Sequence, residues 1–313
     1  MQLKSTKQPV IFIVGPTASG KSEVAVELAK KINGEIISAD SMQVYRGMDI
    51  LSAKPSEKLL KKVPHHLIDI LNPEEEYSAA IFCAHAQRLI KEISERKKIP
   101  IIAGGTGLYV KSLTRGLFAD GGKDPLLRKE LRKTVGKKGS VFLHERLKEV
   151  DPQAAERIHP NDSLRIIRAL EAYEINKESI SSLQTKTEGI GDWCDYKLFG
   201  LEWDRWELYS RIEQRVDEMF EAGIVEEVKK LRALSLSRTA AQGLGIKQIG
   251  AYLNNECSQE EAKDILKRDS RRYAKRQLTW FRQQEPSICW IAMNEEITLK
   301  SVICHMQSAI CRV

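Results

Sequence analysis

Cysteine is scarce and unpatterned. The six residues, Cys83, Cys194, Cys257, Cys289, Cys304 and Cys311, contain no C-x-x-C pair, so neither a disulfide scaffold nor a zinc ribbon is encoded. Cys304, His305 and Cys311 lie close together, but a zinc site needs a fourth ligand at a workable spacing. Isolated reduced thiols are therefore expected. Long apolar runs are missing as well: the one that follows Lys4 and Lys7 extends for only about five residues, too short for a signal-peptide core or a membrane span. A cytoplasmic chain is the expectation. No internal repeat or low-complexity tract is present, which excludes solenoids and biased linkers.

What is there suits a globular chain with a real core. Of 313 residues, 42% are hydrophobic and 30% charged, a balance that excludes bulk disorder and allows one large domain or two modest ones. Lys and Arg together number 50 against 43 acids, a net charge of +7. That excess favours a polyanionic partner, and its placement matters more than its sum.

The strongest local signal is Val10–Ser22, VIFIVGPTASGKS. A buried strand leads into G-x-x-x-x-G-K-[ST], and apolar Val24, Ala25, Leu28, Ala29 and Ile32 follow at helical spacing up to an Asn33-Gly34 stop. In such a loop, backbone N–H groups curl round phosphate, Lys21 adds charge and the Ser22 hydroxyl can ligate Mg2+. A second strand, Glu35–Ser38, ends at Asp40. The carboxyl ends of parallel strands share one crevice, so Asp40 would face the site of Lys21, unless it is a simple turn or cap aspartate. A third strand, Ile99–Ala103, leads to Gly104-Gly105-Thr106-Gly107, either a tight turn or another polar wall. Lys54, in the loop 47–55, is a phosphate contact or a solvated lysine.

From Phe118 to about Asp195 the strand-like runs disappear, and helix starts recur at Asp124-Pro125, Ser140, Asp151-Pro152 and Asn161-Asp162. This segment reads as a helical insertion. Its first part is basic, and Arg165 and Arg168 could present one face to phosphate or pair with Glu171. Strand character returns at Lys197–Trp203, and the next helix carries Arg211 and Arg215 one turn apart. The segment Ala240–Gly250 suits a contact loop or a helix entry. Ser258 and Glu261 form a capping box opening a long helix with Ala262, Ile265, Ala274, Leu278 and Phe281 as its buried face. The rest of that helix is strongly basic with Asp269 as its interleaved acid, and Tyr273 and Trp280 add stacking surfaces, a nucleic-acid pattern. Ile288–Met293 reads as the last strand.

These pieces, in order, resemble the bacterial tRNA dimethylallyltransferase (tRNA isopentenyltransferase) family. The resemblance rests on GPTASGKS at Gly15–Ser22, ISADS at Ile37–Ser41, SAKP at Ser52–Pro55, PHH at Pro64–His66, GGTGLY at Gly104–Tyr109, DPQAAERIHPNDSLRIIRALE at Asp151–Glu171, GIKQ at Gly245–Gln248 and AKRQLTWFR at Ala274–Arg282. It implies an α/β fold: a P-loop NTPase-like parallel sheet flanked by helices, with an inserted all-helical domain. The expected divisions are 1–117 as the first part of the core, 118–195 as the insertion contacting tRNA and 196–313 as the second part with the basic helix.

The implied activity moves a dimethylallyl group from dimethylallyl diphosphate to the exocyclic amine of the adenosine 3′ to the anticodon, releasing diphosphate. Gly15, Pro16, Thr17, Ala18, Ser19, Gly20, Lys21, Ser22 and Arg211 would hold the diphosphate, with Mg2+ on Ser22. Asp40, Thr106 and Lys21 would be catalytic. The tRNA would be met by Asp40, Ser41, Met42, Gln43, Thr106, Arg128, Arg165, Arg168, Gly245, Lys247, Lys275, Arg276 and Arg282. A monomer is expected. The eukaryotic members' C-terminal zinc finger has no counterpart in these cysteines, which suits a bacterial chain. Ser22 replaces a frequent threonine and keeps the hydroxyl. Other readings are a P-loop small-molecule kinase, which would leave the basic helix idle, an adenylate isopentenyltransferase acting on free nucleotide, and a nucleotide-switched RNA-binding module, which would not need Asp40.

Overall fold

The structure, a computed structural model, describes residues 7–117, 124–185 and 187–310. The expected boundary at Phe118 and the thiol of Cys311 lie outside these residues. The chain divides into two compact units, one formed by Met1–Leu113 with Trp193–Val313 and the other by Thr114–Asp192.

The first unit is built on a six-stranded, all-parallel sheet of order β3-β2-β4-β1-β5-β6. Its strands are β1 Gln8–Val14, β2 Gly34–Ser38, β3 His65–His66, β4 Ile99–Gly104, β5 Cys194–Trp203 and β6 Cys289–Met293. Parallel strands need crossovers, so helices cover both faces. Alternation along β1 shows the consequence. Ile11 and Ile13 pack into a core with Val24, Leu28 and Ala29 of α1 (Lys21–Ile32) and with Ile303 and Met306 of α14 (Leu299–Ile310). Phe12 points the other way, edge-on to Tyr196 at 5.7 Å, and α3 (Ala79–Glu95) packs against β2 and β4. Each such fully buried side chain contributes about 1.5–3 kcal/mol.

The order of strands puts a switch point at β1. From there the chain crosses to β2 and on to β3 at the edge, comes back to β4 beside β1, and then passes to the opposite side as β5. Loops after β1, β2 and β4 therefore meet at one rim, where open α/β sheets bind ligands.

Local sequence explains most elements. Asn33 adopts a left-handed conformation and ends α1, as its short polar side chain permits. The Ser258–Glu261 capping box closes on both sides and starts α13, Gln259–Gln284. The buried face of α13 differs from the expected one, with Leu266, Ser270 and Gln277 taking inward positions beside Ala262, Ala274 and Phe281. A 26-residue helix turns slowly against its neighbours, so a face drawn from apolar residues alone misses buried polar ones. Elements without a sequence forecast include the edge strand β3, the short helix α2 at Glu57–Leu60, the helix Gly107–Arg115 that follows the glycine turn, and α14. Ala240–Gly250 resolves as a helix entry, with Gly245 preceding α12, Ile246–Leu253.

β3 is held to β2 by two ladder pairs, Ile36 with His65 and Ile37 with His66, and by one side-chain contact. Glu35, buried at the start of β2, binds His66 at 2.7 Å, Arg96 at 2.7 Å and Lys98 at 2.9 Å. Burial alone would raise its carboxyl, but these three partners outweigh burial and hold it down at about 2.

The second unit is all-helical. After the end of α4 (Gly107–Arg115) it contains α5 Pro125–Lys138, α6 Ser140–Val150, α7 Pro152–Arg157, α8 Ser163–Asn176 and α9 Ile180–Thr185. Asp124, Asp151 and Asp162 cap three of these helices through their side chains. Leu131, Leu143, Leu147, Ile166 and Leu170 form the centre of its core. Beside them Glu171, with no exposed surface, joins Arg128 to Arg168 and accepts the Asp124 N–H.

Candidate active site

The loop between β1 and α1 is shaped by residues that tolerate left-handed backbone. Gly15 and Gly20 have φ of 148° and 85°, and Ala18 is also positive at 62°. Side chains from β5 and from α10 (Arg205–Glu221) fix the carbonyls. Trp203 Nε1 donates to Ser19 C=O at 3.1 Å, and Arg211 Nε donates to Ala18 C=O at 2.9 Å, its guanidinium lying 4.2 Å above the Trp203 ring. Carbonyls held this way leave the neighbouring N–H groups free to face an anion.

Lys21 folds back onto the loop, its ammonium 2.5 Å from Pro16 C=O. Burial is the main cause that brings it down to about 8, with the Arg215 charge adding to the effect and Asp40 opposing it. Arg215, one turn after Arg211, donates to the Thr17 hydroxyl at 3.1 Å. Burial lowers its pKa too, against the pull of Asp40 and Glu23. Two arginines and a lysine around one small loop would repel one another in the absence of a multivalent anion.

The second wall follows β2. Asp40 Oδ1 accepts the Met42 N–H at 2.9 Å and the Gln43 N–H at 3.4 Å, so the turn-aspartate reading holds, and Oδ2 takes no part in it. The same carboxylate also lies near enough to Lys21, Arg215, Tyr109 and Tyr273 to influence their ionisation. Thr106 Oγ1 accepts the Ser41 N–H at 3.1 Å, and the Thr106 N–H donates to Ala39 C=O at 3.2 Å. Gln43 is fixed by the Ser38 hydroxyl at 2.9 Å. The Asp40–Gln43 segment and Thr106 thus form one pinned rim beside the phosphate loop.

Lys54 is not a solvated lysine. Its ammonium is buried, donates to Tyr45 C=O at 2.7 Å and pairs with Asp49 and Asp69. It borders a cavity of about 550 Å3 whose lining includes Ile50, Pro55, Leu60, Met219 and Arg215.

The basic residues sort by partner. Lys247, Lys275 and Arg276 are exposed, with Arg276 lying over the Tyr273 ring at 5.7 Å, and Arg165 is exposed and paired with Asp162 at 3.4 Å. Arg282 is exposed and paired with Glu202. Arg128 and Arg168 are half-buried on Glu171. The basic face of α13 carries less free charge than its sequence indicates, because Lys263 and Lys267 pair with Asp217 and Arg271 pairs with Glu213, both acids on α10. Trp203 and Gln277 at the rim were not foreseen in the sequence, Arg215 was noted there without a site role, and Tyr273 was noted as a stacking surface. The spacing of Arg215 from Arg211 was a usable signal, whereas nothing in the sequence shows that Gln277 is buried.

Among the described residues, no group of three or more His, Cys, Asp or Glu converges to hold a metal. No helix among them is long and apolar enough to cross a membrane. Cys83, Cys194, Cys257, Cys289 and Cys304 are all free thiols.

Residues 43–284 match the family model for IPP transferase. A tRNA dimethylallyltransferase of Acetivibrio thermocellus is 50% identical over 289 residues, covering 91% of this chain and 92% of its own. One from Geobacter sulfurreducens is 46% identical, with 91% and 92% covered. The crystal structure of a tRNA isopentenylpyrophosphate transferase from Bacillus halodurans is 42% identical with a TM-score of 0.72, covering 98% of this chain and 96% of that one. The structure of a eukaryotic dimethylallyltransferase acting on tRNA is 26% identical with a TM-score of 0.83, covering 97% and 80%.

Proposed function

The chain belongs to the IPP transferase family, and from that premise we propose that its crevice transfers a dimethylallyl group from dimethylallyl diphosphate to the exocyclic amine of the adenosine 3′ to the anticodon of tRNA. The chain is a tRNA-modifying prenyltransferase of α/β, P-loop-like fold. The observation that carries the finer reading is the meeting of a cationic phosphate loop with a pinned carboxylate, Asp40, across one rim.

Each part has a chemical task. Breaking the allylic C–O bond leaves its electron pair on the diphosphate. Loop N–H groups, Lys21, Arg211 and Arg215 stabilise that growing charge more than they stabilise the ester. Lys21 at about 8 is charged at neutral pH, and an arriving anion raises it further. The amine nitrogen forms the new N–C bond and gives its proton to Asp40, whose Oδ1 bonds hold the carboxylate in place. Thr106 positions the acceptor side. Ser41, Met42 and Gln43 line the path of a base drawn out of its stack.

The donor chemistry fits Mg2+: the Ser22 hydroxyl, on the first turn of α1 beside the phosphate loop, is a hard oxygen and would hold the ion together with the diphosphate. When bound, the ion would neutralise charge on the leaving diphosphate. The exposed Arg165, Lys247, Lys275 and Arg276 supply phosphate contacts for tRNA, with Arg282 joining them if it exchanges Glu202 for phosphate. Arg128 and Arg168 act through the frame of the helical unit, and Gly245 through the entry to α12.

The test is a single-turnover assay with radiolabelled dimethylallyl diphosphate, Mg2+ and unmodified tRNA. Transfer of label to tRNA is expected; label retained on the diphosphate ester would contradict the reading.

A further inference from the structure

The ladder between β1 and β4 ends at the pair Val14 and Gly104. Beyond that pair the sheet no longer holds the two loops in register, yet those loops carry the two halves of the proposed reaction. The phosphate loop begins at Gly15, and Thr106 stands two residues past the last β4 residue. The next tie between them is one side chain from α13.

Gln277 is 7% exposed. Its Oε1 accepts the Thr17 N–H at 2.9 Å, and its Nε2 donates to Gly105 C=O at 2.9 Å. The two partners fix the orientation of the amide, because an N–H meets only the oxygen and a carbonyl only the NH2 group. The fit is close: a Cβ on Gly105 would stand 2.3 Å from Gln277 Nε2 and 3.3 Å from Gly15 C=O. A glycine is therefore required where the amide approaches.

The bond to Thr17 also removes one donor from the phosphate-facing set. Pro16 has no N–H to offer, and that of Thr17 is committed to Gln277. The loop's anion-binding donors thus start at Ala18, and both hydrogen bonds of the Gln277 amide go to backbone.

We propose that Gln277 is a positioning residue that sets the register between the diphosphate cradle and the acceptor turn carrying Thr106. The inference rests on the transfer reaction above. Reacting atoms must come to about 3–3.5 Å, and a misplacement of about 1 Å costs on the order of 10²-fold in rate. The cradle holds the departing group and the Thr106 rim holds the acceptor, so slack between the two lengthens the attack distance without weakening either grip.

The experiment compares the full-length wild type with Gln277→Met, which keeps the volume and removes both bonds, Gln277→Glu, which keeps an acceptor for Thr17 but no donor for Gly105, and Gly105→Ala, which displaces an intact Gln277. Each is measured for thermal midpoint, tRNA affinity, KM for dimethylallyl diphosphate and single-turnover transfer rate. The expected result for folded variants is a rate lowered about 30- to 100-fold, with KM and tRNA affinity within about threefold of wild type.

Transfer within threefold of wild type in any two of these folded variants overturns the proposal. So does a loss of KM, tRNA affinity and rate in step with the fraction unfolded, which would make the amide a packing element only. Wild-type protein that transfers nothing overturns the reaction on which the inference rests; active wild type with insensitive variants overturns the inference alone.

Discussion

Lys21→Met tests whether the phosphate loop is held under electrostatic tension in the absence of ligand. The ammonium is brought from 10.5 to about 8 in the folded chain, first by burial and then by Arg215. At about 1.4 kcal/mol per pH unit of displacement, charged Lys21 costs about 3 kcal/mol at pH 7. Methionine removes that cost and loses a hydrogen bond to Pro16 C=O, worth about 1–1.5 kcal/mol. The net expectation is a gain of about 1–2 kcal/mol and a thermal midpoint higher by about 2–5 °C.

The dependence on pH follows from the sign of the displacement. A folded pKa below the unfolded one means that the folded chain binds fewer protons between about 8 and 10.5. Wild-type stability therefore recovers as pH rises through that window, while the variant has no such slope. The stability gap is full at pH 7, shrinks through that window and reverses near pH 10.5, where wild type keeps the bond to Pro16 C=O without the cost of the charge. Taking the difference cancels the buried Cys83 and Cys194 thiols, which burial pushes up to about 12 in both proteins. Urea unfolding of the ligand-free proteins at pH 7, 8, 9 and 10 measures the gap. A less stable variant at pH 7, or a gap independent of pH, would refute the reasoning. The same variant should bind inorganic diphosphate at least tenfold more weakly, an opposition of stability and function typical of charged sites.

Asp40→Asn keeps an oxygen for the Met42 N–H, so tRNA binding should hold while transfer falls by about 10²–10⁴-fold, read by single turnover; near wild-type transfer would remove Asp40 as the proton acceptor. Glu171→Ala leaves Arg128 and Arg168 without their buried partner and should destabilise the helical unit by about 3–5 kcal/mol, seen as an earlier unfolding transition. Affinity for tRNA should fall steeply with salt, and each of Arg165→Ala, Lys247→Ala and Lys275→Ala should reduce the slope of log K against log salt by about one. A slope unchanged in all three would place the RNA surface elsewhere.

The phosphate loop, its flanking strand and helix, and Asp40 were legible because each depends on local chemistry. Glycine spacing, a terminal Lys-Ser and an apolar strand signal themselves within a dozen residues. The capping box at Ser258 was readable for the same reason. The arrangement of charge on α13 was not, because Asp217, Glu213 and Glu202 reach its cations from α10 and β5. Gln277 was hidden in a basic, polar stretch whose burial depends on loops 172 and 260 residues distant in sequence. β3 escaped notice because two histidines carry no strand pattern of their own and pair with Ile36 and Ile37 of β2 only in the folded sheet.

The central claim is that the cationic loop and Asp40 act on an allylic diphosphate and an adenosine of tRNA. Its most direct test is to incubate the protein with dimethylallyl diphosphate, Mg2+ and unmodified tRNA, digest the RNA and identify the nucleosides by mass. One added five-carbon allyl group on the exocyclic amine of the adenosine 3′ to the anticodon is the predicted product. Unmodified tRNA, with ATP consumed on a small acceptor instead, would contradict it.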